Sequence, residues 1–302
     1  MRRGFLAVLL VLVAVTAVQA QGANGGEKLS VVASFSILRD WVRIVGGDRV
    51  EVTALVGPGA DAHVYAPSPA DARTLAAARL IVVNGLGFEG WMDRLVQASA
   101  TKATVIVASA GVTPRQAGTL GTLRHAAGGI DPHAWQSVRN AEIYVANIRD
   151  ALIRVDSLGR PTYAANAAAY LEELDRLDEE VRRTVAMIPP ARRKVITTHD
   201  AFGYFAAEYG VTFVAEQGVS TETEASAKDV ARIIQLVREQ NIPALFFENV
   251  TDPRLLRRIA AETGARTGGT LFSDALTVAA GQAPTYVDMM RHNVGEIAAA
   301  LK

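Results

Sequence analysis

Five histidines are the residues of this chain best suited to holding an ion, and three of them share a setting. His63 lies in "GPGADAHVYAPSP", a glycine- and proline-rich loop after the strand-like run "VEVTALV". His133 stands in "GGIDPHAWQ", directly behind Asp131-Pro132 and ahead of a helical pattern. Proline fixes its own φ and pushes the residue before it toward extended geometry, so His133 is expected on a stiff turn. His199, in "VITTHDAFGYF", follows a strand and opens a helix, and Asp274, in "GGTLFSDAL", ends another strand. Open α/β sheets bind ligands outside the carboxyl ends of their strands. His63, His199 and Asp274 occupy such ends, and His133 fits one. Imidazole nitrogens and a carboxylate oxygen suit borderline divalent metals; three histidines and one aspartate could close a Zn2+ site with bonds of about 2.0–2.2 Å. Taken singly, each histidine reads better as an ordinary hydrogen-bonded or solvated loop residue; taken together, the residues alone leave both readings open. His125, in the polar loop "RQAGTLGTLRHAAGG", reads as solvated, and His292, on the last helix, as a surface or capping residue.

Other chemistries find less support. "GLGFEG", Gly85 to Gly90, matches G-x-G-x-x-G, but a dinucleotide site wants an acidic residue about 20 positions on. There is no Asp or Glu from Arg94 to Ile130, so a turn that lets Trp91 pack is the better reading. No G-x-S-x-G occurs. A hydrolytic zinc enzyme commonly keeps a position open to water and needs a base nearby. Glu248, Glu222 or Glu224 could be that base, but solvated or capping carboxylates explain them as well. A fourth protein ligand suits capture over turnover, so no catalytic residue is assigned.

The elements that must position these residues alternate. "LSVVASF", "VEVTALV", "LIVVN" and "ATVIVAS" read as strands separated by helices, and "RKVITT", "VTFVAEQ", "PALFFEN" and "GGTLFSDAL" repeat the layout after residue 190. Such alternation predicts an α/β fold with mostly parallel sheets. "SPADARTLAAARLIVVN" and "SAKDVARIIQLVREQNIPALFFEN" have the same plan, a capped helix and then an apolar strand ending in Asn. Between the halves, Tyr170, Leu174, Leu177, Val181, Val185 and Ile188 form one helical stripe, opened by Pro161 and stopped by Pro189-Pro190. A helix of that extent spans roughly 40 Å, long enough for a strut between two lobes. The expected division is a signal peptide at 1–20, a flexible leader at 21–28, an N-terminal lobe at 29–159, a linker helix at 160–189 and a C-terminal lobe at 190–302.

The 302 residues are half apolar, enough for two cores. "MRR", the apolar run "GFLAVLLVLVAV" and "VQA" ending at Ala20 read as a secretory signal, too short for a membrane anchor. The chain has no cysteine, hence no disulfide, no thiolate ligand and no thiol for bacterial lipid attachment, so a free periplasmic protein is expected. Without Arg2 and Arg3 it carries 29 basic and 31 acidic residues, with no charged run that would suggest nucleic acid or a membrane surface as partner.

The chain resembles the cluster A-I (cluster 9) substrate-binding proteins of zinc and manganese ABC transporters. The resemblance covers essentially all of the expected mature chain. It rests on "GADAHVYAPSP", "VVNGLGFEGW", "DPHAW", "PTYAANAAAYLEELDRLD", "THDAFGYFAAEYG", "EASAKDVARIIQLVREQNIPALFFENVTDPRLLRRIAAETGA" and "GGTLFSDAL". It implies two lobes joined by one long rigid helix, with the metal in the cleft held by His63, His133, His199 and Asp274. Manganese-type relatives usually carry Glu where this chain has His199; histidine is softer, which shifts preference toward zinc. Relatives often have Glu-Pro where this chain has Ala66-Pro67, which leaves His63 untouched. The His/Asp-rich loop of many zinc members is missing: residues 113–130 hold only His125. The expectation is a monomeric periplasmic protein that delivers Zn2+ to an inner-membrane ABC permease, loaded with the help of a separate metallochaperone. Mn2+ is the alternative cargo, and a zinc hydrolase or a metal-assisted adhesin the more distant readings.

Overall fold

The computed structural model describes residues 27–118, 129–222 and 226–302. The expected signal, most of the expected leader, His125 and Glu224 lie outside the described residues. The first half runs β1 (Leu29–Phe35), α1 (Ser36–Gly46), β2 (Val50–Val56), α2 (Pro69–Ala77), β3 (Leu80–Val83), α3 (Met92–Ser99) and β4 (Thr104–Val107). These strands form one parallel sheet in the order β2-β1-β3-β4. All four residues of β3, "LIVV", are buried, as a parallel strand covered on both faces requires.

A short antiparallel pair follows, β5 (Arg115–Gln116) with β6 (Ile130–Asp131). Two helices come next, α4 (Val138–Val155) and the 27-residue α5 (Arg160–Ala186). The second half comprises β7 (Lys194–Thr197), α6 (Gly203–Tyr209), β8 (Thr212–Ala215), α7 (Ala227–Gln240), β9 (Ala244–Glu248), α8 (Arg254–Thr263), β10 (Arg266–Leu271) and α9 (Tyr286–Leu301). Its sheet is parallel too, ordered β10-β9-β7-β8. Counted from its own first strand, each half therefore has the order 2-1-3-4. The repeated helix–strand plan of the sequence is α2–β3 in one half and α7–β9 in the other. Both helices begin with a reciprocal cap: Ser68 with Asp71, and Ser226 with Asp229. In each, the serine hydroxyl accepts the third residue's N–H while that residue's carboxylate accepts the serine's N–H.

The stripe on α5 faces inward: Tyr170, Leu174, Leu177, Val181 and Val185, with Ile188 just beyond, are all buried. Each buried leucine there is worth about 2–5 kcal/mol against alanine. The helix packs on α1 and α4 of the first half and on α6 and α9 of the second. About two-thirds along it, buried Asp178 accepts from Arg139 of α4 (3.1 Å), Arg182 of its own helix (2.8 Å) and the Tyr209 hydroxyl of α6 (2.9 Å).

A second brace is α9. Its first residue, Tyr286, donates its backbone N–H to Asp40 of α1 at 3.0 Å. The Tyr286 hydroxyl donates to the Trp135 carbonyl at 2.7 Å, and its ring lies 4.9 Å from that of Trp41. The amino-terminal end of α9 thus reaches the first half, while the body of the helix packs on β10 and α5.

Candidate metal centre

The two sheets bring their strand ends together, and His63, His133, His199 and Asp274 meet there. Each offers one ligand atom, and these atoms lie within 4.8 Å of one another. His63 comes from the loop after β2, His199 from the turn after β7 and Asp274 from the turn after β10. His133 differs from expectation. It follows β6, one arm of the small antiparallel pair, and not a strand of either parallel sheet. The stiff Asp131-Pro132 approach still delivers it. Helix α6 also begins at Gly203, four residues beyond His199, because the Ala201 N–H turns back to the His199 carbonyl at 3.0 Å.

The spacing is close to what a small tetrahedral ion would demand. Asp274 Oδ2 lies 3.2 Å from His63 Nε2 and 3.1 Å from His199 Nε2, and Asp274 Oδ1 lies 3.6 Å from His133 Nε2. His63 Nε2 and His133 Nε2 are 3.3 Å apart. A tetrahedron with bonds of about 2.0–2.1 Å has edges of about 3.3–3.4 Å. His199 Nε2 and both Asp274 oxygens are fully enclosed without a hydrogen-bond partner of good geometry. Buried polar atoms left this way are unfavourable, and a bound cation removes the penalty.

Three further carboxylates hold the histidines, and sequence reasoning had given none of them that task. Asp131 Oδ1 accepts the His133 backbone N–H and lies 2.9 Å from its Nδ1. Glu248 Oε1 accepts the N–H groups of Thr198 and His199, while its Oε2 is 2.6 Å from His199 Nδ1. Asp61 Oδ1 accepts the His63 N–H at 2.9 Å. A carboxylate on Nδ1 fixes the ring and leaves Nε2 for a metal. Glu248, considered above as a base, is thus an orienting group. Asp61 and Asp131 each stand two residues before their histidine, a repeated D-x-H spacing visible in the sequence.

Burial and charge set the protonation of the cluster. Burial pushes the His63 imidazole below its ordinary range, against the pull of Asp274. Burial works the same way on His199, but the facing Glu248 and Asp274 carboxylates outweigh it and hold its imidazole well above the usual value. Burial alone would raise the Asp274 carboxyl; His199 and His133 instead hold it well below the carboxylate range. An apolar wall completes the site: Phe88 lies edge-on to His63 at 4.7 Å, and Trp135 to His133 at 5.2 Å. The Asp274 turn is tied across the cleft, since the Ser273 carbonyl accepts from Trp135 Nε1 (2.8 Å) and Gln136 Nε2 (2.7 Å).

Other candidates fall elsewhere. His292 is half-buried, with Nε2 2.9 Å from the Thr270 carbonyl and its ring on Phe272. Glu222 is exposed near His63, outside the ligand cluster. The "GLGFEG" turn is filled by its own side chain: Glu89 accepts the N–H groups of Asn84 (2.7 Å) and Gly85 (3.2 Å) and the Ser34 hydroxyl (2.5 Å). An anion would find those donors taken.

The chain matches the family model of the zinc-uptake complex component A, periplasmic (ZnuA), over residues 31–300. The manganese-binding lipoprotein MntA of Halalkalibacterium halodurans is 34% identical over 280 residues, spanning 92% of this chain and 90% of that protein. The iron-binding protein YfeA of Yersinia pestis is 33% identical over 278 residues, spanning 91% and 87%. Among solved structures, the periplasmic zinc binding protein TroA from Treponema pallidum superposes with a TM-score of 0.83 at 31% identity, covering 91% of this chain and 99% of that one. The Mn-bound periplasmic metal binding protein from Candidatus Liberibacter asiaticus gives 0.80 at 30% identity, covering 91% and 100%. With its fold and nearly its whole length accounted for in this way, the chain belongs to the ZnuA family, the metal-binding substrate-binding proteins that serve ABC permeases and are not enzymes.

Proposed function

We propose that this protein binds Zn2+ through His63, His133, His199 and Asp274 and delivers it to an ABC permease. The observation that carries the reading is the set of contacts between 3.1 and 3.6 Å joining three imidazoles and one carboxylate. Three nitrogens and one oxygen suit zinc better than manganese, which favours oxygen-rich sites of higher coordination number. One observation favours Mn2+: both Asp274 oxygens lack hydrogen-bond partners, so the carboxylate is free to bind through both and raise the coordination number. We further propose that the protein acts as a monomer, loaded by a separate periplasmic metallochaperone. Residues 1–20 would direct export. Several relatives are named lipoproteins, yet these 302 residues contain no cysteine to carry a lipid, so release into the periplasm is the proposed location.

Elemental analysis of protein recovered from the periplasmic fraction, followed by titration of the stripped form, tests this. One Zn2+ per chain, displacing Mn2+ at equal concentration, is the expected result. Mn2+ retained against Zn2+ would overturn the choice of cargo.

The pH dependence follows from the two histidines that shift in opposite directions. His199 in the metal-free protein is held above its ordinary value, so it is charged at neutral pH and its proton must leave when the ion arrives. His63, held below its ordinary value, is already neutral there and competes only at lower pH. Zinc binding at neutral pH therefore releases about one proton, and affinity falls about tenfold per pH unit on acidification, more steeply once His63 also protonates. Calorimetry in buffers of different ionisation enthalpy measures the proton count directly. A count of zero at neutral pH would contradict the His199 assignment.

A further inference from the structure

We infer that the ion enters and leaves on the His63 side, through a port walled by Tyr65, Trp91, Arg94 and Glu222 and held shut by a hydrogen bond between Asp61 and Thr221. The inference rests on the metal-binding reading above and concerns the route, which that reading leaves open.

Exposure singles out His63. It is 8% exposed, while His133, His199 and Asp274 are each at 0%. His63 also lines a surface cavity of about 320 Å3, together with Val64, Tyr65, Trp91, Arg94 and Glu222. An ion with six waters occupies about 200 Å3, at about 30 Å3 per water, so the hydrated ion fits this cavity on the outer side of the His63 ring. The wall is stiff: the Tyr65 and Trp91 rings pack 5.0 Å apart, and Trp91 Nε1 donates to the Ala62 carbonyl at 2.8 Å. Glu222 supplies an exposed carboxylate at the mouth.

Among the described residues, the other ligands are covered by packing: the Phe88 and Trp135 rings lie 6.0 and 5.2 Å from that of His133, Glu248 backs His199, and the Asp274 turn is tied through Ser273. The Leu276 carbonyl also accepts the Gly59 N–H at 2.9 Å, and the Leu276 N–H donates to the Ser36 hydroxyl at 3.0 Å.

The clasp lies beside this cavity, since Asp61 stands two residues before its lining residue His63 and Thr221 directly before its lining residue Glu222. One oxygen of Asp61 accepts the His63 N–H, and the other accepts the Thr221 hydroxyl at 2.6 Å, 160 positions away in the chain. A single carboxylate thus holds the ligand's loop and the opposite lip. Breaking the Thr221 bond loosens the lip without touching an atom of the ligand rings.

The test is stopped-flow measurement of Zn2+ association, and of dissociation into a chelator, on the full chain. Val64 is 51% exposed and Arg94 is exposed, so bulk is tolerated at both positions. Val64→Trp and Arg94→Trp are each expected to slow association and dissociation together by about tenfold, leaving Kd unchanged, because an obstacle on a route alters both rates equally. Thr221→Val is expected to speed both. Unchanged rates in both tryptophan variants, or a change in Kd with only one rate moved, would overturn the port. A wild-type protein that binds neither Zn2+ nor Mn2+ would instead overturn the metal-binding reading, so the two failures are told apart.

Discussion

Replacing His199 with alanine is expected to weaken zinc binding by more than about 100-fold, beyond the 10–100-fold that loss of an outer partner brings. The substitution removes one of four donors from a site in which every donor is buried. It also removes the cation that balances Glu248 and Asp274 in the metal-free protein, since both carboxylates lie beside this imidazole. His292→Ala is the control. That ring meets a carbonyl and Phe272, away from the cluster, so affinity should not change measurably. Glu248→Gln falls between them, in the 10–100-fold range, because it loosens His199 without deleting its nitrogen. Titration of the stripped variants measures all three. Equal losses for His199→Ala and His292→Ala would mean that the cluster is not the site.

The second large effect is on stability. A ligand that binds only the folded state stabilises it by about 4.1 kcal/mol when free at a thousandfold excess over its Kd. For a domain of 150–250 residues, each kcal/mol moves Tm by about 2–4 °C, so stripping the ion should lower Tm by about 8–16 °C. The link is direct here because the donors come from loops of both sheets, and unfolding either half dismantles the site. Thermal melts with and without chelator give the shift, and His199→Ala should abolish most of it. A shift below about 3 °C in the wild type would contradict tight binding.

The layered architecture was legible because each signal was local. Four consecutive apolar residues read as the buried strand Leu80–Val83, and Ser68-Pro69 marked a helix start that the reciprocal cap with Asp71 realises. The long helix was legible from spacing alone, since its stripe had no glycine or proline to interrupt it. The four residues that meet between the sheets stood out as candidates by type, and His63, His199 and Asp274 also by their place after strands of the parallel sheets. Their supports were harder to read. Asp131 and Asp61 act through backbone and ring nitrogens two residues on, a pattern that becomes meaningful only once both histidines are known to meet. Glu248 acts on a residue 49 positions away, and no local signal joins the two. The short β5–β6 pair escaped notice because two-residue strands carry no periodicity. The contact of Tyr286 with the first half was hidden for the same reason as the Asp61–Thr221 bond: both depend on pairs far apart in the chain.

The contact between Tyr286 and Asp40 has a consequence for how the chain can be made. Asp40 sits almost wholly enclosed in the first helix, and one of its partners is a backbone N–H that lies 246 positions downstream. A ribosome releases residues in order, so the Asp40 carboxylate goes without this donor until the segment from 286 onward has emerged. The tie between the two ends of the chain is therefore among the last to close.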